Sequence, residues 1–289
     1  MKYGIFYGSW AKNWSGEYIP YVHRAKECGF DILSISSGYL LDKSSCELYD
    51  LKSAATDCGI ELHAGFGPSA KSNLTSEDEQ IAKDAFKKYN KIFKVLEYLN
   101  IPCLGGNFYS CSPAELLHPL DKNGDWDRLA SRIFQLSDMA NDHGISLMME
   151  VVCRYEGYLI NTAKEGVRFI NQVNKDNIML MLDTFHMNIE EDSFADAILT
   201  AGNRLGYLHT GECNRMAPGL GRIPWNEIRY ALKKINFVGS VTMEPFMING
   251  GTIGEDLGVY RDLTHGASDR ELDEMFMRSL QFTKYVLDY

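Results

Sequence analysis

The chain has 289 residues, of which 45% are hydrophobic, 24% charged and 12% aromatic, proportions that exclude wholesale disorder, collagen and coiled coil. A formal net charge of −10, from 29 Lys+Arg against 39 Asp+Glu, repels phosphate backbones and anionic lipid surfaces, so no nucleic-acid or membrane partner is expected. Seven scattered cysteines without a CxxC pair, an N-terminus without a signal-type apolar run, and no stretch near the roughly 20 apolar residues of a membrane span predict reduced thiols and a cytoplasmic protein.

In chain order, the first apolar run is Tyr3–Phe6. It leads into Tyr7-Gly8-Ser9-Trp10, which is not a phosphate-binding glycine loop. Cys28-Gly29 then closes an amphipathic stretch, and the run Ile32–Ile35 follows at once. Cys58-Gly59 precedes Leu62–Ala64 in the same way, and His143-Gly144 precedes Leu147–Val151. Each pattern reads as a helix ended by a left-handed glycine and followed by a buried strand. Asn100 before Cys103–Leu104 and Asn236 before Val241–Met243 do the same job. Met179–Leu182 and Gly206–Leu208 complete eight candidate strands. Between the third and fourth, Ser76 and Glu79 read as a capping box, with Ile81, Phe86, Tyr89, Phe93, Leu96 and Leu99 at helical spacing behind them. A last helix is predicted near residues 270–287. The string Gly65-Phe66-Gly67-Pro68-Ser69-Ala70 follows a strand, but Pro68 spoils the turn into a helix, so it reads as an ordinary loop with no organic cofactor. Strand–helix alternation eight times over, at roughly 30–40 residues per unit, predicts a single (β/α)8 barrel domain over residues 1–289.

Four consecutive strands end in a side chain that can ligate a metal. They are Glu150 after Leu147-Met148-Met149, Asp183 after Met179–Leu182, His209 after Tyr207-Leu208, and Glu244 after Val241–Met243. In a (β/α)8 barrel those ends converge on the catalytic face. Three carboxylates and an imidazole form a hard O/N donor set suited to Mn²⁺, Co²⁺ or Mg²⁺, with Zn²⁺ also compatible. Taken singly, Asp183 before Thr184 reads equally as a helix N-cap, and His209 as a hydrogen-bonded core histidine. Four such coincidences on successive strands favour ligation. The loops behind these ends carry Arg154, Glu156, His186, Glu212 and Arg215, which their clustering assigns to the same site. The acidic run Glu190-Glu191-Asp192 reads as a helix N-terminus, the end of the dipole that acids favour.

With these residues assembled, the sequence resembles the ketose 3-epimerase family, the D-tagatose 3-epimerase and D-psicose (D-allulose) 3-epimerase group. The carrying strings are Met149-Glu150-Val151, Asn161-Thr162-Ala163, Leu182 through Glu191, His209-Thr210-Gly211-Glu212-Cys213-Asn214-Arg215, Gly221-Arg222-Ile223-Pro224-Trp225 and Met243-Glu244-Pro245-Phe246. The resemblance implies metal-dependent C3 epimerisation of free ketoses, D-psicose/D-fructose and D-tagatose/D-sorbose. It implies Mn²⁺ or Co²⁺ on Glu150, Asp183, His209 and Glu244, with Glu150 and Glu244 also forming the acid/base pair. Glu156, His186 and Arg215 would bind the O1–O3 end of the sugar, and Phe6 and Phe246 would line the pocket. A homodimer or homotetramer is implied as well. Three positions depart from the family pattern: Ser112 where relatives often have Trp, Cys153 for Asn, and Phe66 for His or Tyr. These bear on the preferred ketose rather than on the reaction. The alternatives are another sugar isomerase or dehydratase on the same barrel, a metal-dependent phosphodiesterase, or a non-catalytic ketose sensor.

Overall fold

A computed structural model describes residues 1–111 and 120–288. Eight strands occur where the apolar runs lie: β1 Lys2–Phe6, β2 Ile32–Ser36, β3 Glu61–Gly65, β4 Cys103–Gly106, β5 Ser146–Val151, β6 Ile178–Asp183, β7 Leu205–Thr210 and β8 Ser240–Met243. They pair parallel in sequence order, and β8 closes on β1. The helices are α1 Ile19–Cys28, α2 Ser45–Cys58, α3 Glu79–Tyr98, α4 Lys122–Asp142, α5 Ala163–Val173, α6 Thr184–Glu190, α7 Phe194–Ala201, α8 Trp225–Lys234, α9 Gly251–Asp256 and α10 Asp269–Asp288. The expected (β/α)8 barrel is therefore the observed architecture. Among the described residues no helix is long and apolar enough to cross a membrane. Cys28, Cys46, Cys58, Cys103, Cys153 and Cys213 are free thiols.

The expected helix stops are present. Gly29, Gly59 and Gly144 have φ of 84°, 64° and 68°, and Asn100 and Asn236 have φ of 60° and 52°. The left-handed turn reverses the chain within two residues, so each strand starts against the helix it has just left. Asn174, at φ 53°, ends α5 in the same way, a stop that no glycine announced.

Two expectations fail locally. The N-cap of α3 is Asp78, whose side chain accepts the Gln80 N–H, and Ser76 and Glu79 do not form a capping box. Ser76 Oγ instead accepts the Asp78 N–H. The Glu79 carboxylate is drawn away by Arg132, which also binds the Leu74 and Ser76 carbonyls. The run Glu190-Glu191-Asp192 lies at the C-terminal end of α6, not at the start of the helix it precedes. Its first two charges are spent across the chain. Glu190 takes the Arg154 N–H and guanidinium, and Glu191 accepts the Ala163 N–H at the first turn of α5. Acids thus do serve a helix N-terminus here, but that of a helix remote in sequence.

Register decides what points inward. Glu150 pairs with Met181, Asp183 with His209, and His209 with Thr242. Because side chains alternate along a strand, Glu150, Asp183, His209 and Glu244 share the inner face. Beneath them the interior is filled by Met148, Met181, Tyr207 and Cys103. The larger apolar core lies between the barrel and its helices.

Candidate active site

One ligand atom from each of Glu150, Asp183, His209 and Glu244 lies within 4.8 Å of the other three. Each residue is placed by its strand end. Asp183 divides its two oxygens: Oδ1 accepts the Phe185 N–H at 2.8 Å and caps α6, while Oδ2 turns to the cluster, 3.5 Å from Arg215 Nη1. The two readings open in the sequence, cap and ligand, are thus compatible in one side chain. His209 Nδ1 lies 2.9 Å from Glu150 Oε1 and 3.5 Å from Glu244 Oε2. The Glu244 N–H bonds the Thr210 carbonyl, which carries the β8 ladder one residue past its end.

The electrostatics set the two glutamates apart. Burial pushes the Glu150 carboxyl above the ordinary range, and His209 only partly offsets it. Burial also acts on Glu244, but His209 and Arg215 outweigh it and hold that carboxyl below the ordinary range. Burial opposes the charged form of His209, and Glu244 and Glu150 prevail, raising it well above the usual imidazole range. Three carboxylates this close repel one another unless protons or a cation intervene. The donor set, three hard oxygens and one imidazole nitrogen, fits a divalent ion.

A cavity of about 330 Å³ opens above this cluster. Phe6, Glu150, Glu156, His186, His209, Arg215, Glu244 and Phe246 line it, while Asp183 lies behind, 1% exposed. Arg215 Nη2 bonds Glu156 Oε1 at 2.5 Å, and the guanidinium lies over the Phe185 ring at 3.7 Å. Arg215 is left-handed at φ 65°, and the strained turn is held from both ends. Its N–H bonds the Glu212 carbonyl, and its carbonyl accepts the Phe246 N–H. His186 Nδ1 accepts the Cys153 N–H at 3.2 Å, which leaves the ring proton on Nε2, facing Glu156 and Asp183.

Two loop residues expected at the site are elsewhere. Glu212 is fully buried and accepts from Gly219 N, Ile223 N and Trp225 Nε1. It organises the loop that presents Arg215 and does not enter the cavity. Arg154 is exposed and bound to Glu190. Of the three departures from the family pattern, Phe66 lines the cavity and Cys153 is buried beside it. Ser112 lies outside the described residues.

The structure adds wall residues that no motif announced. Trp14, Tyr39, Asp256 and Leu257 form part of the rim. Trp14 Nε1 donates to Asp256 Oδ2 at 2.7 Å, tying the loop after β1 to α9. His63 and Tyr207 form the floor, with His63 hydrogen-bonded to Tyr207 and to Glu61 at 2.8 Å each. Neither a lone tryptophan in a loop nor an aspartate at a helix end gives a sequence signal of this kind, because its partner is some 240 residues away.

A family model described as the xylose isomerase-like TIM barrel matches residues 22–263. The D-psicose 3-epimerase of Ruminiclostridium cellulolyticum is 46% identical over 288 residues, covering 100% of this chain and 98% of the relative. That of Agrobacterium fabrum is 45% identical over 287 residues, covering 99% of each. The crystal structure of D-psicose 3-epimerase with D-tagatose from Clostridium cellulolyticum H10 superposes with a TM-score of 0.97 at 46% identity, covering 99% of both chains.

Proposed function

Because this chain belongs to the ketose 3-epimerase family, on the xylose isomerase-like TIM barrel, we propose that Glu150 and Glu244 carry out a metal-dependent C3 epimerisation of free ketoses such as D-psicose/D-fructose and D-tagatose/D-sorbose. The observation that carries the reading is the convergence of two carboxylates, from β5 and from the end of β8, on one cavity where they share His209. Inverting C3 means removing the C–H beside the ketose carbonyl and returning a proton to the opposite face of a planar enediolate. Two proton carriers on different barrel walls meet that requirement, and one does not.

One glutamate removes the proton and the other returns one, so neither is uniquely acid or base. The roles exchange when the reaction runs backwards. His186, through Nε2–H, and Arg215 donate to sugar oxygens on which charge accumulates, and Arg215 stays cationic throughout. Glu156 orients Arg215 and accepts from a sugar hydroxyl. Phe6 and Phe246, in edge contact at 5.9 Å, exclude water from one wall. Glu150, Asp183, His209 and Glu244 hold the ion, and Mn²⁺ or Co²⁺ is our assignment. When bound, a divalent cation supplies Lewis acidity toward the ketose carbonyl.

Turnover of D-psicose in D₂O tests the reading. Deuterium should enter product at C3, and Glu150→Gln and Glu244→Gln should each stop both turnover and wash-in. Product free of deuterium would refute the two-carboxylate scheme.

A further inference from the structure

We propose a second, softer metal site built from Cys153 Sγ, Glu156 and His186, which takes Zn²⁺ or Cd²⁺ and thereby shuts the sugar pocket. The three side chains each offer a donor atom within 4.8 Å of the others. The local fold explains why they meet. The N–H groups of Glu156 and Gly157 both bond the Cys153 carbonyl, at 2.9 and 3.0 Å, so residues 153 and 156 lie one turn apart on the same side of the loop after β5. The Cys153 N–H reaches His186 Nδ1 across to the first turn of α6, which brings the imidazole over that turn. Arg215 occupies Glu156 Oε1. The other carboxylate oxygen, Oε2, is the one 3.8 Å from His186 Nε2.

The donors differ from those of the neighbouring cluster in the way that matters for metal choice. Three carboxylates and one imidazole suit Mn²⁺, Co²⁺ or Mg²⁺, whereas a thiolate beside an imidazole and a carboxylate favours Zn²⁺ and softer ions. Ligation through His186 Nε2 shifts the ring proton to Nδ1 and gives up the Cys153 N–H bond, the thiol proton goes to solvent, and three protein donors leave an open position. Cys153 and His186 are nearly inaccessible, but Glu156 opens to the cavity, which gives an ion its entry. The consequence for catalysis rests on the epimerase reading above. An ion here claims His186 and Glu156, and so competes with ketose rather than with Mn²⁺.

The test uses the full chain loaded with excess Mn²⁺. Cd²⁺ is titrated while the ultraviolet thiolate-to-cadmium charge-transfer band is followed, and Zn²⁺ inhibition of epimerisation is measured in parallel. Cys153→Ser should remove one thiolate's share of the band and raise the half-inhibiting Zn²⁺ concentration at least about tenfold. Glu156→Gln, a change at a partly exposed side chain, should keep the band but weaken Cd²⁺ binding about tenfold. An unchanged band and unchanged inhibition in Cys153→Ser would overturn the site, as would Zn²⁺ inhibition fully relieved by more Mn²⁺. The cadmium band does not require turnover. A chain that binds Cd²⁺ through Cys153 yet epimerises nothing would therefore refute the function and leave the metal site standing.

Discussion

Replacing Glu150 by Gln should abolish epimerisation while making the metal-free chain more stable. The Glu150 ligand oxygen lies within 4.8 Å of those of Asp183 and Glu244. At an effective dielectric constant of about 20, each of those like-charge pairs costs at least about 3.5 kcal/mol, or at least about 7 kcal/mol together. Against this stands the attraction to His209 Nδ1 at 2.9 Å, about 6 kcal/mol on the same scale. The balance is slightly unfavourable, and the burial that raises the Glu150 pKa adds to it. Gln keeps an oxygen for His209 and sheds the charge, so a gain of about 1–3 kcal/mol is expected without metal at neutral pH. A carboxyl raised in the fold subtracts stability once the pH exceeds the unfolded value. The gain should therefore vanish below about pH 4, where Glu150 is protonated in both states. Loss of a proton carrier should lower kcat/KM by about 10²–10⁴. Urea unfolding of chelator-treated protein gives the first quantity, and deuterium wash-in with ketose turnover gives the second. A metal-free variant clearly less stable than wild type at neutral pH, or one epimerising at near wild-type rate, would refute the reasoning.

Mn²⁺ at a thousand times its Kd should stabilise the chain by about 4 kcal/mol, a rise in Tm of about 8 °C for a chain of this size, reversed by chelation. Asp183→Asn keeps the cap on Phe185 and should lose most of that shift in a thermal scan. Glu212→Ala orphans two buried donors, Ile223 N–H and Trp225 Nε1–H, and the part-buried Gly219 N–H, at 2.7–3.0 Å, and should cost about 2–6 kcal/mol. Because the loop carries Arg215, urea unfolding should show the loss together with a raised KM for ketose. At the barrel floor, the hydrogen bond from His63 is the largest cause holding the Glu61 carboxyl down at about 2. The stability contributed by the lowered Glu61 carboxylate is present above the ordinary carboxylate range and is lost as the pH falls from about 4 towards 2. Discounted for the part-exposed carboxylate, it is worth about 1 kcal/mol. Urea midpoints across that range should show this acid limb in wild type and not in His63→Leu.

The sequence by itself determined the repeating unit. Glycine or asparagine after a helix, followed by an apolar run, is a local code, because a left-handed residue must end the helix where the strand begins. Counting those units gives the barrel, and a barrel brings strand ends together, so Glu150, Asp183, His209 and Glu244 could be read as one site before any coordinates. Tertiary structure alone decided which face each strand turns inward, since strands buried on both sides show no period-two alternation. It also decided the fate of loop charge. Glu156 and Arg215 pair over the cavity, whereas Glu212 of the same loop is spent on three backbone and indole donors, and Arg154 on Glu190. Trp14 and Asp256 join the rim, and Cys153 comes under His186, only because loops after different strands crowd the same barrel mouth. Such contacts form between residues far apart in the chain, and short-range pattern carries no record of them.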